Sequence, residues 1–365
     1  MFKLNFTTEI LYDVNSKEWD NVLSRVNYST AFQTANYYKP NQLIRDCKPF
    51  YIIVKNDHGE IVGQLSGLID LKDLQITTNK ISKILIDKLN LDSRIIWDHG
   101  PIIHDNVNRK EIISRILTAL DELAEENNIE MIKGTSCPLD SQCSVEIFKN
   151  FGYECKPWIT YIINLAKGID HIAATLDKKI RYDLRKAEEQ GLVFELAQKR
   201  SDLDEFGELK YKLKKKYSPV QYSELEKENT WNVWYKEGIR KLFLVRFNNK
   251  LIGGVNVNSF NGNLYQTSVI NEEKELQGGT FLTWKTIVWA AKMKNKTLDL
   301  GGVNPNPSTP KEKGIYYYKV KWGGEKFEQM IFVKIFHKNK KKFASLVTNP
   351  SLISSKLRKF LSNWN

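Results

Sequence analysis

One order of elements is written twice along this chain, and that duplication limits the folds open to it more than any single motif does. In the first copy, FYIIVKN (50–56) and EIVGQLSGLI (60–69) read as strands joined by Asp57-His58-Gly59, a turn whose glycine can take positive φ. In the second, LFLVRF (242–247), Asn248-Asn249-Lys250 and LIGGVNVNSF (251–260) repeat strand, turn and strand, and Asn261-Gly262 leads into a further strand, NLYQTSVI (263–270). Helical spacing follows in each copy. EIISRILTALDELAEENN (111–128) aligns Ile112, Ile116, Leu120 and Leu123, and TFLTWKTIVWAAKMKN (280–295) aligns Phe281, Trp284, Val288 and Ala291. Both helices give way to a short strand ending in glycine, IEMIKG (129–134) and TLDLGG (297–302). A short helix closed by an aromatic residue and glycine comes next, IFKNFGY (147–153) and YYKVKWGG (317–324), and WITYIINL (158–165) and QMIFVKIF (329–336) end the two copies as strands.

Repeats of this length exclude a solenoid, whose units run about 20 to 50 residues. Antiparallel strands followed by helix, strand, helix and strand predict an α+β fold, each copy a mixed sheet flanked by helices. With 365 residues, 41% of them hydrophobic, the chain can build two cores of ordinary size. The expected domains are 1–166 and 170–336, with a linker near Ala166-Lys167-Gly168-Ile169-Asp170 and a tail at 337–365.

Composition narrows the function. The opening MFKLNFTTEILYDV lacks the charged and apolar regions of a signal peptide, and no run nears the roughly 18 apolar residues of a membrane span, so a soluble, cytoplasmic protein is expected. Cys47, Cys137, Cys143 and Cys155 form no CxxC pair, and the five histidines form no HxxxH pair; neither a metal site nor a disulfide framework is expected. The formal charge of +12 is uneven. Beyond Glu328 there is no acidic residue, while Lys334, Lys338, Lys340, Lys341, Lys342, Lys356, Arg358 and Lys359 all follow it. Such a surplus suits a polyanionic partner such as RNA, a nucleotide diphosphate or an anionic membrane face, and it also suits a merely solvated surface. In PSLISSKLRKFLSNW (350–364), Ile353, Leu357, Phe360, Leu361 and Trp364 share one helical stripe. That stripe fits either peripheral contact with the inner membrane face or docking on the protein itself.

The second copy opens with IRYDLRKAEEQGLVFE (180–195), in which Leu176, Ile180, Leu184 and Ala187 make an apolar stripe and Arg181 and Arg185 share a wetter face. From here a family resemblance is visible. Phe32-Gln33-Thr34 precedes Tyr37-Tyr38, Gly100-Pro101 follows a strand, the Ile180-to-Leu192 segment comes next, and Asp299-x-Gly301-Gly302 leads to Gly314-Ile315 and Tyr318-Lys319-x-x-Trp322-Gly323. In these residues and their order the chain resembles the FemAB-like, Fem-type peptidoglycan-bridge aminoacyltransferases over roughly residues 28–336. Tyr318 and Trp322 stand where that pattern commonly has phenylalanine, and the stretch from Gly191 to Leu242 is short for the long helical arm of some members.

The resemblance implies two tandem GNAT-like domains. It also implies transfer of an aminoacyl or acyl group onto an amine of a cell-wall or cell-surface precursor, with aminoacyl-tRNA as donor and a nucleotide- or lipid-linked sugar precursor as acceptor. It assigns Lys319 to the acceptor's phosphates, a job suited to a compact ammonium. Arg181 and Arg185 are candidates for backbone or phosphate contacts, and Gly301, Gly302 and Tyr318 for the cleft. Asp299 is a candidate base for the acceptor amine, and equally a candidate anchor for the Gly301-Gly302 loop.

Coenzyme A-using GNAT enzymes carry [QR]-x-x-G-x-[GA] at the donor loop. The matching stretch here is Glu272-Glu273-Lys274-Glu275-Leu276-Gln277-Gly278-Gly279-Thr280, with altered spacing and three glutamates that would repel a diphosphate. That favours a donor other than acetyl-CoA. Two further functions stay open: an acyl-CoA-dependent N-acyltransferase acting on an amino sugar or glycan precursor, and a non-catalytic GNAT-fold binding protein.

Overall fold

The structure, a computed structural model, describes residues 5–44, 47–70, 93–105, 108–214, 224–267 and 269–336. The first copy, single turns aside, comprises β1 (Thr7–Leu11), α1 (Ser16–Ser24), β2 (Cys47–Lys55), β3 (Ile61–Asp70), β4 (Arg94–Trp97), β5 (Ile102–Ile103), α2 (Arg109–Glu126), β6 (Met131–Thr135), α3 (Val145–Asn150) and β7 (Glu154–Asn164). The second comprises α4 (Ile169–Thr175), α5 (Lys178–Glu189), β8 (Val193–Leu196), α6 (Arg200–Lys214), α7 (Glu224–Thr230), β9 (Arg240–Phe247), β10 (Lys250–Phe260), β11 (Asn263–Gln266), β12 (Ile270–Asn271), α8 (Gly278–Lys292), β13 (Thr297–Val303), α9 (Pro310–Val320) and β14 (Glu325–Ile335). The hairpin turns form as their residues dictate: Gly59 takes φ 75°, and Asn248 and Asn249 take 49° and 62°, values asparagine tolerates better than most residues.

One sheet crosses both halves in the order β1-β2-β3-β4-β6-β14-β7-β13-β11-β10-β9-β8. Read inward from either edge, corresponding strands of the two copies follow each other. β4 with β6 and β11 with β13 run parallel inside otherwise antiparallel surroundings, so each half is mixed. At the centre the closing strands have changed places. β14 lies against β6 of the first copy, β7 lies against β13 of the second, and the two pair with each other from Glu325 opposite Ile162 to Val333 opposite Glu154.

The cores follow that exchange. Phe332 of β14 is fully buried in the first core, stacked on Phe148 at 3.7 Å, while Ile159, Tyr161 and Ile163 of β7 belong to the second. Burial of a side chain such as Phe332 contributes about 1.5–3 kcal/mol, so each half draws stability from the other's last strand. Asn261 and Asn263 add to the joint, their amides donating to backbone carbonyls of Ser24, Val26, Asn27 and Ser29.

Helix faces repeat the sequence pattern with two corrections. Ile112, Ile116, Leu120 and Leu123 of α2 are completely buried, and Leu176, Ile180, Leu184 and Ala187 around α5 are buried as well. On α8 the inward face is instead Phe281, Leu282, Thr286, Ile287 and Ala290, with Trp284 and Val288 only half-buried, because α5 as well as the sheet packs on this helix. The helix expected at 317–324 begins earlier, at Pro310, inside what reads as a proline loop. Thr309 caps it and Glu312 closes the reciprocal capping box, while Pro310 occupies the first turn, where its missing N–H costs nothing.

Between Gly191 and Leu242 the described residues form β8, α6, α7 and a π-helical turn, Trp231–Tyr235. The tail at 337–365 lies outside the described residues, and of its neighbouring cations Lys334 is paired with Asp121 at 2.6 Å. Among the described residues no helix is long and apolar enough to cross a membrane, and no cluster of His, Cys, Asp and Glu could hold a metal. None of the four cysteines forms a disulfide.

Candidate functional site

The site grows from a divergence of two parallel strands. β11 and β13 pair from Asn263 opposite Thr297 to Tyr265 opposite Asp299, and there the pairing stops. β11 ends at Gln266, and β13 bulges between Asp299 and Gly302 to stay in register with β7. A cavity of about 490 Å³ fills the wedge, walled by Tyr265, Gln266, Gly301 and Gly302 and roofed by Tyr318 and Lys319 of α9. At the matching place in the first half β4 and β6 stay joined, with Gly100 N donating to Thr135 O at 3.0 Å. Trp97, 1% exposed, lies over Gly134, and its indole N–H donates to Gly100 O at 3.2 Å.

Gly301 lies in the wall of the wedge. It takes φ +83°, and a Cβ there would come within 3.3 Å of Gln266 O, Lys319 Nζ and the Tyr265 hydroxyl. Glycine leaves those three polar groups free to converge. Lys319 Nζ donates to Gly301 O at 2.6 Å and Gly302 O at 3.1 Å. An ammonium has three donors, so one remains for a ligand in the cavity. Burial pulls this amine down to about 8, opposed by the charge of Asp299.

Asp299 itself sits behind the cavity wall. It is 6% exposed, accepts from Gly301 N at 2.7 Å and makes a close hydrogen bond from the Thr160 hydroxyl. Burial pushes its carboxyl up to about 6 against those donors. Its contacts are those of an anchor for the β13 bulge. Asp299→Ala should therefore lower Tm, because it strands a buried N–H and a hydroxyl at about 1–3 kcal/mol each. An unchanged Tm with activity lost would instead return Asp299 to the role of base.

A second cavity, about 630 Å³, adjoins the first through Val269, Gly314 and Tyr318. Lys179 of α5, Lys321 just past α9, Tyr317 and the start of α8 at Gly279 and Thr280 line it. Gln277 precedes α8 at φ 56° and makes no capping bond to it, so its side chain leaves the first N–H groups of the helix uncapped, an arrangement that suits an anion. Two of the three glutamates expected to repel a phosphate here are paired with lysines. Glu272 pairs closely with Lys212 and at 3.3 Å with Lys250, which also reaches Glu273 at 3.2 Å.

The remaining candidates separate. Tyr318 lines both cavities, and its hydroxyl, absent from a phenylalanine, contacts Thr283 Oγ1 at 3.1 Å. Arg181 and Arg185 lie on the exposed face of α5, whereas Lys179, Ile180 and Asp183 of the same helix reach the second cavity. Gln33 holds the first half together, donating to Asp98 O at 2.6 Å and Ser66 O at 3.3 Å and accepting from Ser66 N at 2.9 Å. Phe32 packs on His99 and on Tyr265, at centroid distances of 4.4 and 4.9 Å, and so carries the first half to the cavity's edge. Gln266, Tyr265, Thr283, Lys179 and Lys321 were not singled out by sequence, since no spacing marks a strand residue that happens to end at a divergence.

No protein-family model matches the chain, and no curated protein matches it by sequence. Solved structures do match in shape. The crystal structure of FemX superposes with a TM-score of 0.68 at 15% identity, covering 93% of this chain and 100% of FemX. A tandem GNAT protein from the clavulanic acid biosynthesis pathway gives 0.53 at 13% identity over 91% of this chain and 98% of its own. The L-PGS of Bacillus licheniformis gives 0.52 at 12% identity over 92% and 96%. The chain thus has the tandem GNAT-like fold of these proteins, with its open wedge in the second half.

Proposed function

We propose that this protein is an acyltransferase that moves an aminoacyl group from aminoacyl-tRNA to an amine on a cell-surface precursor. One observation carries it: Lys319 Nζ is held on the carbonyls of Gly301 and Gly302 in the β11–β13 wedge, with a donor to spare. In the transfer, the acceptor nitrogen bonds to the ester carbonyl carbon, the bond from that carbon to the ribose oxygen breaks, and the amine's proton ends on the leaving hydroxyl. Charge builds on the carbonyl oxygen between those events. A fixed ammonium in a partly dry cleft stabilises it most when it need not reorganise. Tandem GNAT-like architecture, shared with FemX, supports the same chemistry. The adjoining cavity, with Lys179, Lys321 and the α8 start, suits the donor's phosphates.

An acyl-CoA donor is the second reading, favoured by Gly278-Gly279 at the uncapped start of α8. Incubation with labelled aminoacyl-tRNA or labelled acetyl-CoA and a panel of amine acceptors distinguishes them. Label reaching an acceptor only from the RNA supports the proposal; label moving only from acetyl-CoA replaces it.

The pH dependence follows from the groups around the wedge. Lys319 must stay protonated to donate, so activity should fall as pH rises through about 8. Tyr318, pushed up to about 12 by burial, and Tyr265, pushed higher still, keep their protons across that range, while Asp299 titrates lower, near 6. Rates measured from pH 6.5 to 9.5, a span of roughly three units about the lysine's value, check this. A rate that climbs through pH 8 in wild type but not in Lys319→Arg would make Lys319 a base instead.

A further inference from the structure

Nothing inside the protein asks for a glycine at 314. The residue lies within α9, its φ is not positive, and a Cβ built on it meets no atom within 4 Å. Glycine inside a helix lowers stability relative to alanine, so the missing side chain has neither a conformational nor a packing cause. Its place supplies another. Gly314 stands in the wall of both cavities, at the junction that it shares with Val269 and Tyr318. Bare backbone at such a point lets a bound molecule lie directly against the helix. One turn further on the same face, Tyr317 lines the second cavity with its side chain still 59% exposed, an aromatic ring left open beside the bare backbone.

The order of groups in the donor says what occupies that junction. Lys319 meets the ester carbonyl in the first cavity, and Lys179, Lys321 and the α8 start face the phosphates in the second. In an aminoacyl-tRNA the group between those two points is the ribose that bears the ester, joined to the carbonyl through one oxygen and to the nearest phosphate through its own 5′ carbon. In an acyl-CoA the same interval is taken by a slim chain without a ring. We infer that the Gly314 junction seats the donor's ester-bearing nucleoside, its ribose against the bare backbone of Gly314 and its base on the ring of Tyr317. This rests on the transfer reading proposed above and adds the residues that decide which donor is admitted. A side chain at 314 would fill the space of the ribose. Stacking on an aromatic ring needs no hydrogen-bond code, because every base has a π-face.

The test uses the full-length protein and two unesterified RNA minihelices that differ only in the base on the 3′-terminal ribose, present in one and replaced by hydrogen in the other. Both carry the same phosphates, so the salt-dependent part of binding cancels in their ratio. Titration followed by fluorescence anisotropy should show wild type binding the intact RNA about tenfold or more tighter, the size of one base–aromatic stack. Tyr317→Ala should bring the two RNAs to within about twofold of each other, while Tyr317→Phe should keep the preference, since the ring and not the hydroxyl stacks. Gly314→Leu places a good helix former at an exposed helical position. It should melt no lower than wild type and lose the preference as well. Equal binding of the two RNAs by wild type, or an unchanged preference in folded Gly314→Leu or Tyr317→Ala, overturns the nucleoside seat while leaving the transfer reading in place. Failure of wild type to bind either RNA removes both.

Discussion

Lys319→Met is expected to fold normally and to lose transfer activity by about 10² to 10³ in kcat, the range found when one donor to a developing oxyanion is removed. Methionine keeps most of the aliphatic stem that packs under α9. It removes an amine whose lowered affinity for protons says that its charge sits in the cleft at a cost. The two carbonyls it leaves, those of Gly301 and Gly302, border a cavity large enough for water. Tm at pH 7 should therefore move little while the rate collapses. Initial rates with labelled aminoacyl-tRNA measure the first quantity and a melting curve the second. A rate within about threefold of wild type would take Lys319 out of the reacting centre. Loss confined to KM would return it to the role of acceptor-phosphate contact, where the sequence resemblance put it.

A large loss of stability is also expected at Gly134. A Cβ there would strike the indole of Trp97, which is 1% exposed and belongs to the first core. The ring has nowhere to go, because its N–H is bonded to Gly100 O and its other face meets Tyr153 at a centroid distance of 6.4 Å. Overpacking of this kind costs typically 1–3 kcal/mol and occasionally more, so Gly134→Ala should lower Tm by several degrees. Gly302→Ala makes the same type of clash with Trp158, but that indole is half-buried and can swing outward, so a smaller loss is expected. Gly314→Ala supplies the contrast. Its site is open and helical, and alanine there should stabilise by about 0.8–1.0 kcal/mol. Thermal melts of the three variants check the order; a Gly134→Ala protein as stable as Gly314→Ala would show that Trp97 is not fixed over Gly134.

These expectations differ in how far they could be foreseen. Strand, turn and helix were legible because each depends on neighbours in the chain: the period of apolar residues, the asparagines at 248 and 249, and the glycine at 59 act within a few residues. The start of α9 was equally local, yet Thr309-Pro310-Lys311-Glu312 reads as a loop if proline is taken only as a breaker. At the first helical position proline and a capping box are a start signal instead. Lys319 was legible through its motif. The direction of its amine was not, since that depends on a bulge set by pairing with a strand of the other half.

By itself, then, the sequence determined two copies of one α+β plan, their turns and helix faces, and the lysine that marks the second copy. Tertiary structure decided the rest. It exchanged β7 and β14, because a strand's neighbours are chosen by which core its alternating apolar face completes, and Phe332 completes the first while Ile159 and Ile163 complete the second. It also opened a wedge in the second half alone among the described residues. There β11 and β13 separate beside a glycine with converging polar groups, whereas β4 and β6 stay joined under Trp97 by Gly100 N and Thr135 O, a difference that no periodicity records.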